Sequence, residues 1–201
     1  MFQGMTQMVK SLFYTNVIVF IVTLFCQLLR IPFVEQFACY NFGYPEFHVY
    51  QLITSMFIHG GVFHILCNML ALVSLGPSVE SYLGSRKFLL YYLICGICGS
   101  LLFMASTTSN IPSVGASGAI YGIALMFAVI SPNEKLYFFF IPIGFRAKYL
   151  MTFLFLLEVY LGFNGVKGDN VAHFAHVGGG LAGLALLGLN NYLPKSFDKY
   201  I

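Results

Sequence analysis

Six apolar runs, separated by connections of unequal length, dominate the hydropathy pattern of this 201-residue chain. A membrane-spanning helix needs roughly 20 predominantly apolar residues to cross the hydrocarbon core of a bilayer. Backbone polar groups find no water there, so such segments are helical. The pattern therefore predicts an all-α polytopic membrane protein, a six-transmembrane-helix bundle formed as a single domain over residues 1–201. The predicted helices are residues 11–29, 63–79, 88–105, 117–130, 149–163 and 173–192.

Several of these runs fall short of the roughly 20 residues that a spanning helix needs. Two explanations fit the shortness of these runs. Either the bilayer is locally thin, or some helices begin below the membrane surface inside a water-filled cavity. Composition excludes a soluble domain, since 59% of the residues are hydrophobic and 8% are charged. No small-residue cleavage site follows the first run, which favours a retained helix over a signal peptide.

The basic residues are distributed unevenly over the predicted loops. If the N-terminus is cytoplasmic, eight of them fall on the inner side and two on the outer side. This asymmetry follows the positive-inside rule and predicts that both termini are cytoplasmic. No basic cluster resembles a nucleic-acid-binding patch, so no nucleic-acid partner is expected. The inner set is Lys10, Arg86, Lys87, Lys135, Arg146, Lys148, Lys195 and Lys199, and the outer set is Arg30 and Lys167.

Four of the five cysteines lie inside apolar runs. Cys95 and Cys98 have CxxC spacing, but their apolar neighbours favour a packing role over redox or metal chemistry. Cys39 lies in the first outer loop without an evident partner, so no structural disulfide is predicted.

Four polar residues share one predicted depth. The second, fourth and sixth helices all run from outside to inside, and His64, Asn68, Ser117 and His176 lie near their outer ends. All four therefore fall in the outer third of the membrane. Polar and ionisable groups at such a depth are costly and usually mark function.

Ser117 and His176 supply the minimum for nucleophilic catalysis, a hydroxyl group and an imidazole base. No Asp or Glu lies close in sequence to either residue. The carboxylates of Glu80 and Glu158 are not at a depth suited to orient His176, so a Ser–His dyad is predicted rather than a triad. Tyr121, one turn below Ser117, is placed to pack its ring against the His176 imidazole.

His64 and Asn68 are four residues apart and so share one face of a helix. Both side chains can donate a hydrogen bond to one oxygen, as the oxyanion of a tetrahedral intermediate requires. The Ser117 backbone N–H, at a helix N-terminus, is a further donor. The alternative, which spacing alone does not exclude, is that His64 and Asn68 only join helices by hydrogen bonds.

Small residues recur at four-residue spacing on the two helices that carry the serine and the histidine. Gly118 and Gly122 lie on the fourth helix, and Gly179 and Gly183 lie on the sixth. Such faces let two helices approach closely in lipid. We therefore expect these four glycines to support the approach of the serine to the histidine.

Three motifs occur in order along the chain: HGGVFHILCN at 59–68, GASGAIYG at 115–122 and AHFAHVGG at 172–179. Together they resemble the rhomboid intramembrane serine proteases, over about residues 51–183. The family often carries Trp-Arg shortly before the second helix. Here the corresponding pair is Tyr50-Gln51, and the chain has no Trp.

The resemblance implies that Ser117 is the nucleophile and His176 the base, with His64 and Asn68 in the oxyanion hole. His176 is preferred to His173 because it directly precedes the Val-Gly-Gly of the family pattern. The substrates implied are single-pass membrane proteins, cleaved in the bilayer near the outer end of the span, and no cofactor is expected. The short six-helix core fits a bacterial-type enzyme of the cell membrane. By the same resemblance, Glu80 has a structural role.

The sequence also bears on two other classes of function. A metal or haem protein would use His173 and His176, which have helical i, i+3 spacing, but no HExxH is present and no carboxylate joins them. No metal site is therefore predicted. The other class is a catalytically silent rhomboid-like binder or chaperone of membrane helices. Such relatives are expected to lack the serine or the histidine, and this chain has both.

Overall fold

The computed structural model describes residues 4–107, 110–137, 143–165 and 171–189. All six predicted helices correspond to helices of the structure, although residues 190–192 of the last one lie outside the described part. The predicted fourth helix has the observed bounds, and the described ends of the others differ from the prediction by at most four residues. The long helices are α1 (Gln7–Leu28), α4 (Val62–Leu83), α5 (Ser85–Ser106), α6 (Ser117–Ile130), α7 (Ala147–Asn164) and α8 (His173–Leu189), and two short ones, α2 (Phe33–Phe37) and α3 (Gln51–Thr54), lie in the first loop.

The helices differ in length and in burial. Helices α1, α4 and α5 have 22 residues each and are long and apolar enough to cross a membrane, whereas α6 and α8 are shorter apolar helices. Helix α6 is the central one, since ten of its 14 residues are buried, while α7 buries only Ala147 and Met151. Ser117, the first residue of α6, lines a cavity of about 1060 Å³. A cavity at the start of α6 fits the explanation in which this helix begins below the membrane surface.

Among the described residues, one short β-ribbon interrupts the helical architecture. Two-residue strands, β1 (Lys135–Leu136) and β2 (Phe145–Arg146), pair as an antiparallel ribbon between α6 and α7. The sequence pattern did not predict this ribbon. The ribbon lies between the end of α6 and the start of α7, and Leu136 of β1 is partly buried against the core.

Helices α6 and α8 cross at their glycines, as the four-residue spacing predicted. A Cβ added to Gly183 would lie 2.6 Å from the Gly122 carbonyl oxygen, and one added to Gly122 would lie 2.8 Å from the Gly179 carbonyl oxygen. A Cβ on Gly179 would collide with the carbonyl oxygen of Gly118. Real side-chain carbons do not approach backbone oxygens this closely, so none of these glycines can be enlarged without moving a helix.

Helix α5 joins the same contact, which the sequence analysis missed. A Cβ on Gly99 would lie 2.6 Å from the Ala175 carbonyl oxygen of α8 and 3.5 Å from the Cα of Gly118 in α6. Cys95, one turn earlier, is fully buried against Gly122. Three backbones therefore meet at the level where α6 and α8 begin, and Cys95 packs there as a small apolar residue.

The carboxylate of Glu80 holds the opposite end of the bundle together. It is buried near the end of α4 and accepts hydrogen bonds from the backbone N–H groups of Met8 and Val9, each at 2.9 Å. It also accepts from the hydroxyls of Ser85, at 2.5 Å, and Thr6. Since the first N–H groups of a helix have no partner inside it, Glu80 satisfies the start of α1. These contacts fit the structural role expected of this residue.

Gln51 organises the loop between α1 and α4. Its side chain is fully buried. Its Oε1 accepts from the backbone N–H groups of His48 at 3.1 Å and Tyr40 at 3.5 Å. Its Nε2 donates to the carbonyl oxygens of Gln36 at 3.2 Å and Glu46 at 3.0 Å. One amide thus ties four backbone positions together.

The same loop fixes the segment that leads into α6. The backbones of Cys39 and Ser113 exchange two hydrogen bonds, at 2.9 and 2.8 Å. The Gly115 N–H donates to the Ser55 carbonyl oxygen at 2.9 Å. The residues just before Ser117 are therefore held by the first loop rather than by α6 itself.

Candidate active site

The hydroxyl of Ser117 and the imidazole of His176 are in direct contact. Ser117 Oγ lies 2.8 Å from His176 Nε2, which is a normal hydrogen-bond distance. Ser117 is the first residue of α6, and His176 is one turn into α8. Because the two helices cross closely at their glycines, the side chains of Ser117 and His176 can reach each other.

Gly115 shapes the turn before the serine. Its φ is +116°, a backbone conformation that L side chains rarely adopt. In addition, a Cβ at this position would lie 2.7 Å from both Cε1 and Nε2 of His64, and 3.8 Å from Nδ2 of Asn68. Both the conformation and the close approach of these side chains require glycine here.

His64 and Asn68 line the same cavity as Ser117 and His176. His64 Nδ1 accepts a hydrogen bond from the Gly60 N–H at 3.4 Å, which leaves the proton of a neutral ring on Nε2, the nitrogen beside Gly115. Asn68 is buried, and its Nδ2 has no hydrogen-bond partner among the described residues. Both side chains therefore lie beside Gly115, two residues before the serine, while their role as oxyanion donors stays a prediction.

The ring of His59 packs against the ring of His64. Their rings meet edge to face, with centroids 5.1 Å apart. His59 is buried, and its Nδ1 lies 3.3 Å from the Phe57 carbonyl oxygen. Burial lowers the pKa of His59 to about 4, so this ring is neutral at physiological pH. It supports the position of His64 without adding a charge to the site.

Tyr121 covers one face of the catalytic candidate His176. The two rings are stacked, with centroids 4.4 Å apart and planes inclined by 13°. The ring packing expected from the spacing of Tyr121 and Ser117 is therefore present.

The expectation that no carboxylate reaches His176 is wrong. Glu158 Oε2, on α7, lies 2.9 Å from His176 Nδ1 and 2.7 Å from His173 Nδ1. The hydroxyl of Tyr121 donates to Glu158 Oε1 at 2.6 Å. The sequence prediction placed Glu158 deeper in the membrane than His176, because the depths of the two residues were counted along separate apolar runs. Helices α7 and α8 run antiparallel and pack together, and the six residues from Glu158 to the end of α7 rise only about 9 Å.

The same finding overturns the expectation that no carboxylate joins His173 and His176. One ligand-type atom from each of Glu158, His173 and His176 lies within 4.8 Å of the others. Two ligands of one tetrahedral zinc ion, with bonds of about 2.0–2.1 Å, lie roughly 3.3 Å apart. The contacts of 2.7 and 2.9 Å are shorter than that. They fit hydrogen bonds between the side chains better than shared ligation of one ion.

A serine hydroxyl hydrogen-bonded to an imidazole, beside further hydrogen-bond donors, is the arrangement on which serine hydrolases rely. Comparison with known proteins identifies the family: the Rhomboid domain model matches residues 46–190. The chain belongs to the rhomboid family, and it is a multi-pass membrane protein of helical architecture.

Similar proteins come from bacteria, plants and fungi. The chain is 38% identical over 145 residues to the rhomboid protease GluP of Bacillus subtilis, a match that covers 70% of this chain and 26% of that protein. It is 34% identical over 139 residues to RHOMBOID-like protein 1 of Arabidopsis thaliana, covering 69% of this chain and 33% of that protein. It is 31% identical over 154 residues to rhomboid protein 1, mitochondrial, of Saccharomyces cerevisiae, covering 74% and 43%. The match thus spans less than half the length of each of these relatives.

Proposed function

We propose that this protein is an intramembrane serine endopeptidase that cleaves the transmembrane segments of single-pass membrane proteins near their outer end. The observation that carries the proposal is the 2.8 Å contact between Ser117 Oγ and His176 Nε2. A neutral imidazole at this distance can take the proton of the hydroxyl, without which serine is a weak nucleophile. The naming of GluP as a rhomboid protease supports the same activity.

In the acylation step, Ser117 Oγ attacks the carbonyl carbon of the scissile peptide bond. A new C–O bond forms, the hydroxyl proton passes to His176 Nε2, and the π-electron pair of the carbonyl moves onto its oxygen. The C–N bond then breaks as the oxyanion collapses. His176 Nε2 returns its proton to the leaving amine, and an acyl ester remains on Ser117.

In the deacylation step, water takes the place of the amine. His176 Nε2 accepts a proton from the water while the water oxygen attacks the ester carbon. Collapse of the second oxyanion breaks the C–O bond to Ser117, and the proton returns to Oγ. The cavity of about 1060 Å³ lined by Ser117 and His176 offers the route by which water enters a bundle surrounded by lipid.

The oxyanion in both steps is the charge that the site has to stabilise. We assign this role to His64 Nε2, Asn68 Nδ2 and the backbone N–H of Ser117. The last has no partner inside α6 because it is the first residue of that helix. Preorganised donors of this kind act on the transition state more than on the bound substrate.

The orientation in the membrane follows from the charges. Lys10 lies near the start of α1, Arg86 and Lys87 near the start of α5, and Lys148 near the start of α7. The predicted topology puts all of these ends on the cytoplasmic side and Ser117 towards the outer side. We therefore propose a bacterial-type enzyme of the cell membrane with both termini in the cytoplasm.

Mass spectrometry of membrane proteins from cells that express the chain tests the activity. We expect fragments cut inside or beside a single transmembrane segment in wild-type cells and none of these in cells with Ser117→Ala. Binding of membrane proteins without any Ser117-dependent fragment would contradict the proposal. That outcome would favour the catalytically silent binder or chaperone.

A further inference from the structure

A hydrogen-bonded network between α6, α7 and α8 is not used by the two-residue mechanism. It consists of Glu158, His173, Tyr121 and the Nδ1 side of His176. The side chains of Glu158 and both histidines are only 10–12% exposed. Burying a carboxylate costs free energy unless hydrogen-bond donors surround it. The burial of Glu158 therefore needs an explanation.

The first argument concerns the tautomer of His176. A neutral imidazole has one protonated nitrogen and one free lone pair. If Nε2 is to accept the proton of Ser117, the ring proton has to be on Nδ1. Glu158 Oε2 is 2.9 Å from that nitrogen, which makes no aligned hydrogen bond among the described residues. A small rotation of either group would complete a bond from Nδ1–H to the carboxylate.

The second argument concerns the carboxylate of Glu158, which two further side chains also contact. The Tyr121 hydroxyl donates to Oε1 at 2.6 Å, and His173 Nδ1 lies 2.7 Å from Oε2. Because the Tyr121 ring also stacks on the His176 imidazole, one residue fixes both partners of the contact. Side chains locked by such surrounding contacts hold reacting groups within the narrow geometry that catalysis needs.

The third argument concerns charge. Once His176 has taken the proton of Ser117 it becomes an imidazolium. An anionic carboxylate beside it, in surroundings of low dielectric constant, stabilises that cation much more strongly than water would. Glu158 is the only carboxylate in contact with His176 among the residues that the structure describes.

We infer that Glu158 is a positioning residue that sets the tautomer and the orientation of His176, with Tyr121 and His173 holding its carboxylate. The site then works as a Ser–His–Glu triad, with its acidic member on α7. This inference rests on the proposed function, since it assigns a part in the same reaction.

The kinetic test uses the full-length protein in liposomes with a single-pass reporter substrate. Glu158→Gln keeps the size of the side chain but removes the charge, and its amide can donate to Nδ1 and so favour the wrong tautomer. We expect kcat to fall by roughly 10²–10⁴-fold, as loss of a triad carboxylate does elsewhere, with little change in KM. Glu158→Asp should recover part of the rate. Tyr121→Phe, which keeps the stacked ring, should show a smaller loss, and Tyr160→Phe, at an exposed position of α7, should show none.

A spectroscopic measurement separates this inference from the proposed function. ¹⁵N NMR of histidine-labelled protein, with the His176 signals identified by their absence in His176→Gln, reports which ring nitrogen carries the proton. We expect the proton on Nδ1 in the wild type and its loss from that nitrogen in Glu158→Gln. Wild-type protein with the proton on Nε2, or an active Glu158→Gln with the wild-type kcat, would overturn the inference. A wild type that never cleaves the reporter would instead count against the proposed function.

Discussion

The Gly179 Cα faces the Gly118 carbonyl so closely that a single added carbon would collide with it. This contact sets the distance between α6 and α8 at the level of the serine and the histidine. The geometry of the site is therefore a consequence of backbone packing, and it can be perturbed without touching a functional side chain.

Gly179→Val tests that consequence. The valine should force the two helices apart and lower the free energy of unfolding by roughly 1–3 kcal/mol, as overpacking of a tight core does. A displacement of about 1 Å should also reduce the cleavage rate by up to about 10²-fold. Gly188→Val is the matched control, because nothing lies within 4 Å of a Cβ at that position. Cleavage rate and melting temperature are measured for both. A normal rate in Gly179→Val would show that the crossing does not set the distance between Ser117 and His176.

Asn68→Ala and His64→Ala test the proposed oxyanion donors. Each should lower kcat by about 10²–10³-fold with a smaller effect on KM, because these groups act on charge that develops in the transition state. Asn164→Ala removes the same amide from an exposed position at the end of α7 and should leave both constants unchanged. Wild-type kcat in both site variants would mean that His64 and Asn68 only join helices.

Gln51→Met tests the organisation of the first loop. Methionine has a similar length but leaves the backbone groups of Tyr40, His48, Gln36 and Glu46 without their shared partner. Each buried polar group left unpaired costs about 1–3 kcal/mol, so a clear drop in melting temperature is expected. Limited proteolysis should also cut the loop faster. Gln27→Met, at an exposed position of α1, is the control. Equal melting temperatures for the two variants would rule out this role.

Much of the fold could be predicted because its signals are local. The run from Ser117 to Ile130 begins at a polar, glycine-flanked residue and ends before Pro132, so both of its ends are visible in the sequence. The glycine spacing on α6 and α8 is equally local and identified the crossing. Gly99 in α5 gave no comparable signal, because no other glycine lies four residues before or after it.

The parts that could not be predicted depend on contacts between distant segments. Glu158 is a single carboxylate in an apolar helix, and only the antiparallel packing of α7 against α8 brings it to His176. Gln51 looks like an ordinary polar loop residue until four backbone groups are seen to converge on it. A polar residue in an apolar run predicts that a partner exists, but it does not identify that partner.

The most direct measurement of the central claim joins cleavage to covalent labelling of the nucleophile. Purified protein in liposomes is incubated with a single-pass reporter, and a parallel sample is treated with a fluorophosphonate probe and mapped by mass spectrometry. We expect cleavage within the membrane segment of the reporter and a label on Ser117, with both lost in Ser117→Ala, whose melting temperature should stay close to that of the wild type. Cleavage by Ser117→Ala at the wild-type rate, or a label on another residue in an active protein, would contradict the assignment of Ser117 and His176 as the catalytic pair.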